Sequence, residues 1–141
     1  MTEAPFTLHP QIAADTVPVG DLTLSRVLLA KDANYPWLIL VPRRAGVSEL
    51  IDLAEDEQVR LLGEIADCGR ALKAVVPCDK LNIATLGNMV PQLHVHVIAR
   101  TKTDAAWPKP VWGTARARDY DAGDMEALLE KLRERFDITA I

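Results

Sequence analysis

The chain has 141 residues and 15.5 kDa, with 49% hydrophobic and 26% charged residues, a single-domain size and an ordinary globular composition that exclude disordered and fibrous classes. A formal net charge of −4 and a pI near 5.3 lack the basic balance of a general nucleic-acid binder. No apolar run approaches the ~18 residues that cross a bilayer, and the N-terminus from Met1 has neither the basic flank nor the apolar stretch of a signal peptide. A cytoplasmic protein with no membrane or nucleic-acid partner is expected. Cys68 and Cys78 stand far apart with no second pair to form a Cys-x-x-Cys site, so both are read as reduced thiols.

In chain order, Phe6–His9 reads as a short strand and Pro10 opens a helical turn through Asp15. A strand over Leu22–Ala30 and another over Trp37–Val41 flank the turn residues Lys31-Asp32-Ala33-Asn34-Tyr35-Pro36, and Pro42 ends the second strand by removing a ladder donor. Between Ala54 and Val76 the period lengthens. Val59, Leu62, Ile65, Ala66, Gly69, Leu72 and Val76 recur at three and four residues, which predicts one long amphipathic helix with that stripe inward. Glu55, Asp56 and Glu57 suit its N-terminal dipole, and Pro77 stops it.

Leu81–Leu86 and Gln92–Ala99 are the next strands, joined through Gly87-Asn88-Met89-Val90-Pro91 as a hairpin. The stretch after Arg100, with Trp107-Pro108-Lys109-Pro110-Val111-Trp112-Gly113, is too rich in proline for regular structure. A last helix spans Ala122–Phe136 behind Asp121 as N-cap, with Met125, Leu128, Leu129, Leu132 and Phe136 on one face. Strands in adjacent pairs with helices outside them predict an antiparallel α+β domain over 1–141 rather than a doubly wound sheet.

Chemistry concentrates in Gln92-Leu93-His94-Val95-His96-Val97-Ile98. Alternation along a strand rising about 3.3 Å per residue puts Gln92, His94 and His96 on one face, ~6.6 Å apart, with apolar residues on the other. Three readings compete. A histidine on a sheet face is often a satisfied polar group with no further role. Two imidazoles two residues apart can share a metal ion, but zinc asks for a third protein ligand that only distant His9, the cysteines or scattered carboxylates would provide. The third reading is attack on phosphorus: a neutral imidazole is a competent nucleophile near pH 7, and a neighbouring imidazole can protonate a leaving oxygen. That requires one nitrogen of His94 to be held by an acceptor, for which a backbone carbonyl near Gln92 suits.

The same seven residues resemble the signature of the histidine-triad superfamily, His-φ-His-φ-His-φ-φ with φ apolar, with Gln92 at the first histidine position. The resemblance extends to the hairpin ending Leu38-Ile39-Leu40-Val41-Pro42-Arg43-Arg44, the long helix, the Leu81 strand and the Asn88 loop, which follow the family's order. It implies a five-stranded antiparallel sheet with one long central helix and a C-terminal helix, a homodimer, and hydrolysis or nucleotidyl transfer on a nucleotide such as a dinucleoside polyphosphate or nucleoside phosphoramidate, with no cofactor and no resident metal.

Carried over by position, His94 matches the nucleophile and His96 the group that contacts the phosphate and assists the leaving group, while Gln92 can hydrogen-bond but not titrate. Asn88 is a candidate for a phosphate oxygen, Asp32 for the ribose hydroxyls, and Trp107, with Trp112, for a rigid aromatic lid over the site. Arg43 and Arg44 at the helix entry read as a solvated basic face. Two alternatives to the enzyme stand beside it: a catalytically weak or inactive nucleotide-binding module, made credible by Gln92, and a metal-dependent hydrolase with His94 and His96 as ligands.

Overall fold

The computed structural model describes residues 5–136, so Met1–Ala4, part of the stretch read for a leader, lie outside the described residues. Five strands, β1 (Thr16–Asp21), β2 (Ser25–Ala30), β3 (Trp37–Pro42), β4 (Lys80–Ala84) and β5 (Val95–Arg100), form one antiparallel sheet in the order β1-β2-β3-β5-β4. Among the described residues three α-helices, α1 (Pro10–Asp15), α2 (Glu55–Val75) and α3 (Asp124–Phe136), and a short 3-10 turn at Leu50–Asp52 complete the expected α+β architecture.

Alternation sorts the sheet into two faces. Val27, Leu29, Leu38, Leu40, Val95, Val97 and Ala99 pack against Leu61, Cys68, Ala71 and Leu72 of α2 and Leu129 and Leu132 of α3. The opposite face carries Leu28, Ala30, Ile39 and Val41 with Ile12 of α1, and Tyr35 and Ile98 under Ala106 and Val111 of the segment after β5. His96 pairs with Ile39 of β3 and Ala84 of β4, so it projects from an interior strand on the face away from the two long helices.

Several local expectations give way to tertiary effects. Phe6–His9 is not a strand: its backbone is irregular, and the true first strand lies further on at Thr16–Asp21. Pro18 and Gly20 disguise it, yet an edge strand tolerates proline, and the register slips between those residues as at a bulge. Arg133 of α3 donates to the Pro18 and Val19 carbonyls there, at 2.8 and 2.9 Å. The strand expected from Leu22 begins at Ser25, because Leu22 N–H closes a turn on the Ser25 carbonyl at 2.8 Å. The last helix starts at Asp124 rather than Ala122, since Gly123 has φ of +85°, outside the helical region. The Asp121 carbonyl accepts the Asp124 N–H in the turn just before it.

The long helix has nearly its expected limits, and its expected stripe faces inward only in part: Gly69 and Leu72 are buried and Ile65 and Val76 pack against the core. Leu61, Glu64, Cys68, Gly69, Ala71 and Leu72 are buried, whereas Val59 and Leu62 point outward, 73% and 69% exposed. Glu64 is the informative residue: its carboxylate accepts the Leu24 and Ser25 N–H groups, both at 2.9 Å, tying α2 to the β1–β2 turn where those amides would otherwise be buried without partners. Gly69 marks the closest approach of helix to sheet, where a Cβ would sit 2.8 Å from Leu81 Cδ1.

Beyond β5 an ion pair organises the irregular segment. Arg100, 1% exposed, grips Asp104 in a bidentate pair of 2.7 and 2.9 Å and donates to Asn82 Oδ1 at 2.8 Å. Its guanidinium lies over the Tyr35 and Trp107 rings, 5.4 and 5.7 Å from their centroids. Asp104 also accepts the N–H groups of Thr101, Ala106 and Trp107. These donors, Arg100 first, hold its carboxyl down at about 2. Removing one partner of such a buried pair leaves the other uncompensated. Asp104→Asn is expected to lower unfolding free energy by about 3 kcal/mol or more, measured by urea denaturation. Because the folded pKa is depressed, the pair's contribution is complete above the unfolded value of ~4 and lost as pH falls through about 2; the variant should lose that part of the acid dependence.

Candidate active site

His94 and His96 meet on the open face of the sheet, ring centroids 5.0 Å apart and planes at 74°. His96 belongs to β5, whereas His94 lies one residue before it. The expected three-rung ladder is therefore shorter, because strict alternation begins only at Val95. Gln92 precedes the strand and turns its side chain to the N-terminal segment, accepting from His9 N–H at 2.8 Å and donating to the Thr7 carbonyl at 2.9 Å. Its main chain faces the other way: the Gln92 carbonyl oxygen is 2.6 Å from His94 Nδ1. His9, the third histidine, accepts Gln11 N–H on its Nδ1 and caps α1.

A carbonyl only accepts, so His94 carries its proton on Nδ1 and leaves a lone pair on Nε2. His96 is the reverse. The indole Nε1–H of Trp37 donates to His96 Nδ1 at 3.0 Å; an indole nitrogen only donates, so the His96 proton resides on Nε2. Trp112 closes against the same imidazole, its ring 5.0 Å from His96 and 5.8 Å from Trp37. The site thus holds one imidazole ready to attack and one ready to donate a hydrogen bond. Burial, reinforced by the nearby His94, pushes the His96 pKa down to about 4.

Both histidines line a cavity of about 450 Å³, a volume suited to a small ligand. Its apolar wall comprises Ile12, Ala30, Trp37, Ile39, Val90 and Trp112, and its rim carries Gln11, Asp15, Lys31 and Asp32. Helix α1 forms one side, and Trp112 and Ala117 of the segment after β5 form the other. Asp32 stands in this rim, its Oδ1 accepting Asn34 N–H at 3.0 Å and Arg118 N–H at 3.2 Å. Lys31, which donates to the Ala14 carbonyl at 3.0 Å, is the one cation among the described lining residues.

Other sequence candidates lie elsewhere. Asn88 is exposed in the β4–β5 connection and does not line the cavity. Trp107 lies over Arg100, and Trp112 takes the place by the imidazoles. Among the described residues no three His, Cys, Asp or Glu side chains gather as a metal cluster, and no helix is long and apolar enough to cross a membrane. Sequence reasoning missed Trp37 as a site residue. The available signal was its register: Trp37 and Ile39 share a face of β3, and Ile39 pairs with His96.

The sheet order and the histidine pair on its open face define a histidine-triad fold, and the comparisons agree. The HIT domain model matches residues 11–103. A histidine triad protein from Bradyrhizobium japonicum is 53% identical with a TM-score of 0.92, the match covering 94% of this chain and 98% of that one. One from Marinobacter aquaeolei is 41% identical (TM-score 0.91, covering 95% and 98%), and one from Sinorhizobium meliloti is 39% identical (TM-score 0.89, covering 92% and 96%). No curated protein matches. The chain belongs to the HIT domain family.

The buried state of His96 is directly measurable. In a proton–nitrogen NMR titration, His96 is expected to stay neutral until about pH 4, against an ordinary value of ~6.5. Since the unfolded chain takes up this proton first, the group contributes stability that is complete above ~6.5 and lost as pH falls through about 4. A His96 titration near 6.5 would contradict the burial.

Proposed function

We propose that this chain, 1–141 as one domain, is a cytoplasmic nucleotide hydrolase or nucleotidyl transferase of the histidine-triad type, with Gln92 at the first triad position. The observation that carries the reading is the 2.6 Å contact between His94 Nδ1 and the Gln92 carbonyl, which leaves Nε2 with a lone pair inside a ligand-sized cavity. In this proposal His94 Nε2 attacks the α-phosphorus of a bound nucleotide. The N–P bond forms as the leaving group departs, and water or another acceptor then releases the nucleotidyl group. His96 Nε2–H steadies a nonbridging oxygen, and the Gln92 carbonyl stabilises the charge that His94 acquires.

Replacing the first triad histidine by Gln92 is compatible with this chemistry, because the group that fixes the nucleophile is a main-chain carbonyl, available from any residue. Asp32, at the cavity rim, is suited to ribose hydroxyls, and the walls of Ile12, Ile39 and Trp112 to a base. Asn88 and Trp107 would join the site only if their segments moved over a bound substrate.

His94→Ala tests the mechanism. Turnover of a panel of dinucleoside polyphosphates and nucleoside phosphoramidates is expected to fall by about 10³-fold or more, with an unchanged circular dichroism spectrum. Rapid quenching of the wild type should trap a nucleotidyl adduct on His94. Unaltered turnover by the variant refutes the mechanism, and tight nucleotide binding by the wild type without turnover assigns the chain to the binding-module class instead.

A second copy of the chain is part of the proposal. Leu50, Val59 and Leu62 line one outward apolar groove, 45%, 73% and 69% exposed, of the kind that marks association surfaces. Analytical ultracentrifugation is expected to give twice the 15.5 kDa chain mass, and Leu62→Glu to give the single mass. A wild-type monomer at micromolar concentration overturns this.

A further inference from the structure

The hydrogen bond from Trp37 to His96 bears on which substrates the site can cleave. Resting on the nucleotide-cleaving reading above, we propose that Trp37 is a positioning residue that keeps His96 a hydrogen-bond donor rather than a proton donor. The site therefore favours nucleoside phosphoanhydrides, whose leaving groups depart as anions, over nucleoside phosphoramidates, whose amines need a proton to leave.

The indole Nε1–H reaches His96 Nδ1 at 3.0 Å and has no acceptor capacity. Giving up the Nε2 proton would convert neutral His96 into an imidazolate, which is far too basic to form at neutral pH. Giving it up from an imidazolium would first require a proton on Nδ1, where it would face the indole N–H donor against donor. Nothing offsets that conflict. Around His96 stand Trp37 and Ile39 from β3, Ala84 from β4, Trp112 from the segment after β5, and His94. The charged groups of the cavity, Asp15, Lys31 and Asp32, lie on its rim, and among the described residues no carboxylate hydrogen-bonds to His96. Burial acts in the same direction. The indole is itself held, edge-on to Tyr35 at 6.4 Å and to Trp112 at 5.8 Å.

For a phosphoanhydride the step balances without an acid. His94 Nε2 forms the N–P bond, the P–O bond breaks, and its electron pair leaves on a phosphate oxygen that is stable as an anion near neutral pH. Water then attacks phosphorus, the N–P pair returns to Nε2, and the water's proton passes to solvent. For a phosphoramidate the breaking P–N bond would place its electron pair on an amine nitrogen, which requires a proton that the neutral His96 does not release. The His94 Nδ1 proton is engaged with the Gln92 carbonyl and lies on the far side of the attacking ring.

Two measurements on the full chain and its Trp37→Phe variant test this. Phenylalanine keeps the ring and removes the N–H. Proton–nitrogen correlation spectra of the wild type should show His96 protonated on Nε2 alone, and the variant should show a mixture of tautomers. Relative kcat/KM for a dinucleoside polyphosphate against an alkyl phosphoramidate of the same nucleoside should favour the anhydride by about 10²-fold, the low end of what general acid catalysis contributes. The variant should narrow that ratio about tenfold, chiefly by raising phosphoramidate turnover. A proton on Nδ1 of wild-type His96, a preference for the phosphoramidate, or an unmoved ratio in the variant overturns the proposal. Turnover of neither substrate with the expected tautomer overturns the nucleotide-cleaving reading and the substrate preference with it, while Trp37's hold on His96 stands.

Discussion

A peptide carbonyl can only accept a hydrogen bond and an indole N–H can only donate one, and those two facts set the protons on neighbouring imidazoles in opposite ways. The Gln92 carbonyl fixes His94 with its lone pair on Nε2; the Trp37 indole fixes His96 with its proton on Nε2. The rest of the molecule keeps these partners in place. β5 lies between β3 and β4, so His96 cannot shift register without breaking two ladders. β3 presents Trp37 at the pairing position opposite Ile98, one alternate residue from the Ile39–His96 pair. Gln92 is anchored by its side chain to the backbone of residues 7 and 9, so its carbonyl stays aimed at His94. Its side-chain amide thus acts structurally while its main-chain carbonyl orients the His94 ring.

The two faces of the sheet divide the work. One is filled by α2 and α3, with Glu64 drawing the long helix onto the β1–β2 turn. The other is left to short, irregular segments, and for that reason it has room for a cavity. Those segments are held by polar contacts as well as by apolar packing. Asp32 binds the backbone of Arg118, and the Arg100–Asp104 pair gathers the chain after β5 so that Trp112 returns to His96. A fully buried ion pair there is a costly way to hold a loop unless it is hydrogen-bonded on all sides, and Asp104 meets that condition with three backbone N–H groups in addition to the guanidinium.

Much of this was legible in residue order. The long helix, four of the strands and the clustering of chemistry at His94 and His96 follow from periodicity and from the spacing of two imidazoles. Where the reading failed, the reasons are physical. β1 carries a proline and a glycine that only an edge position with a bulge accommodates. α2 has apolar residues on more than one side, so a three-and-four spacing fits the outward strip through Val59 and Leu62 as well as the inward one through Leu61, Cys68 and Leu72. Glu64 gave no sign of burial, because its partners are amides 39 and 40 residues away. Of the two tryptophans after β5, the one nearer in sequence to the histidines, Trp107, stacks on Arg100, and the farther one, Trp112, reaches the site.

By itself, then, the amino-acid order determined the long helix, four of the five strands, the α+β class and the pair of imidazoles on a stiff element, because these depend on short-range steric preference and alternation. It did not determine where the protons on those imidazoles lie. That depends on which group meets each ring nitrogen. For His94 the group is two residues away, and for His96 it is 59 residues away on a neighbouring strand; only the pairing of β3 with β5 brought Trp37 within hydrogen-bonding distance and made the two histidines chemically different.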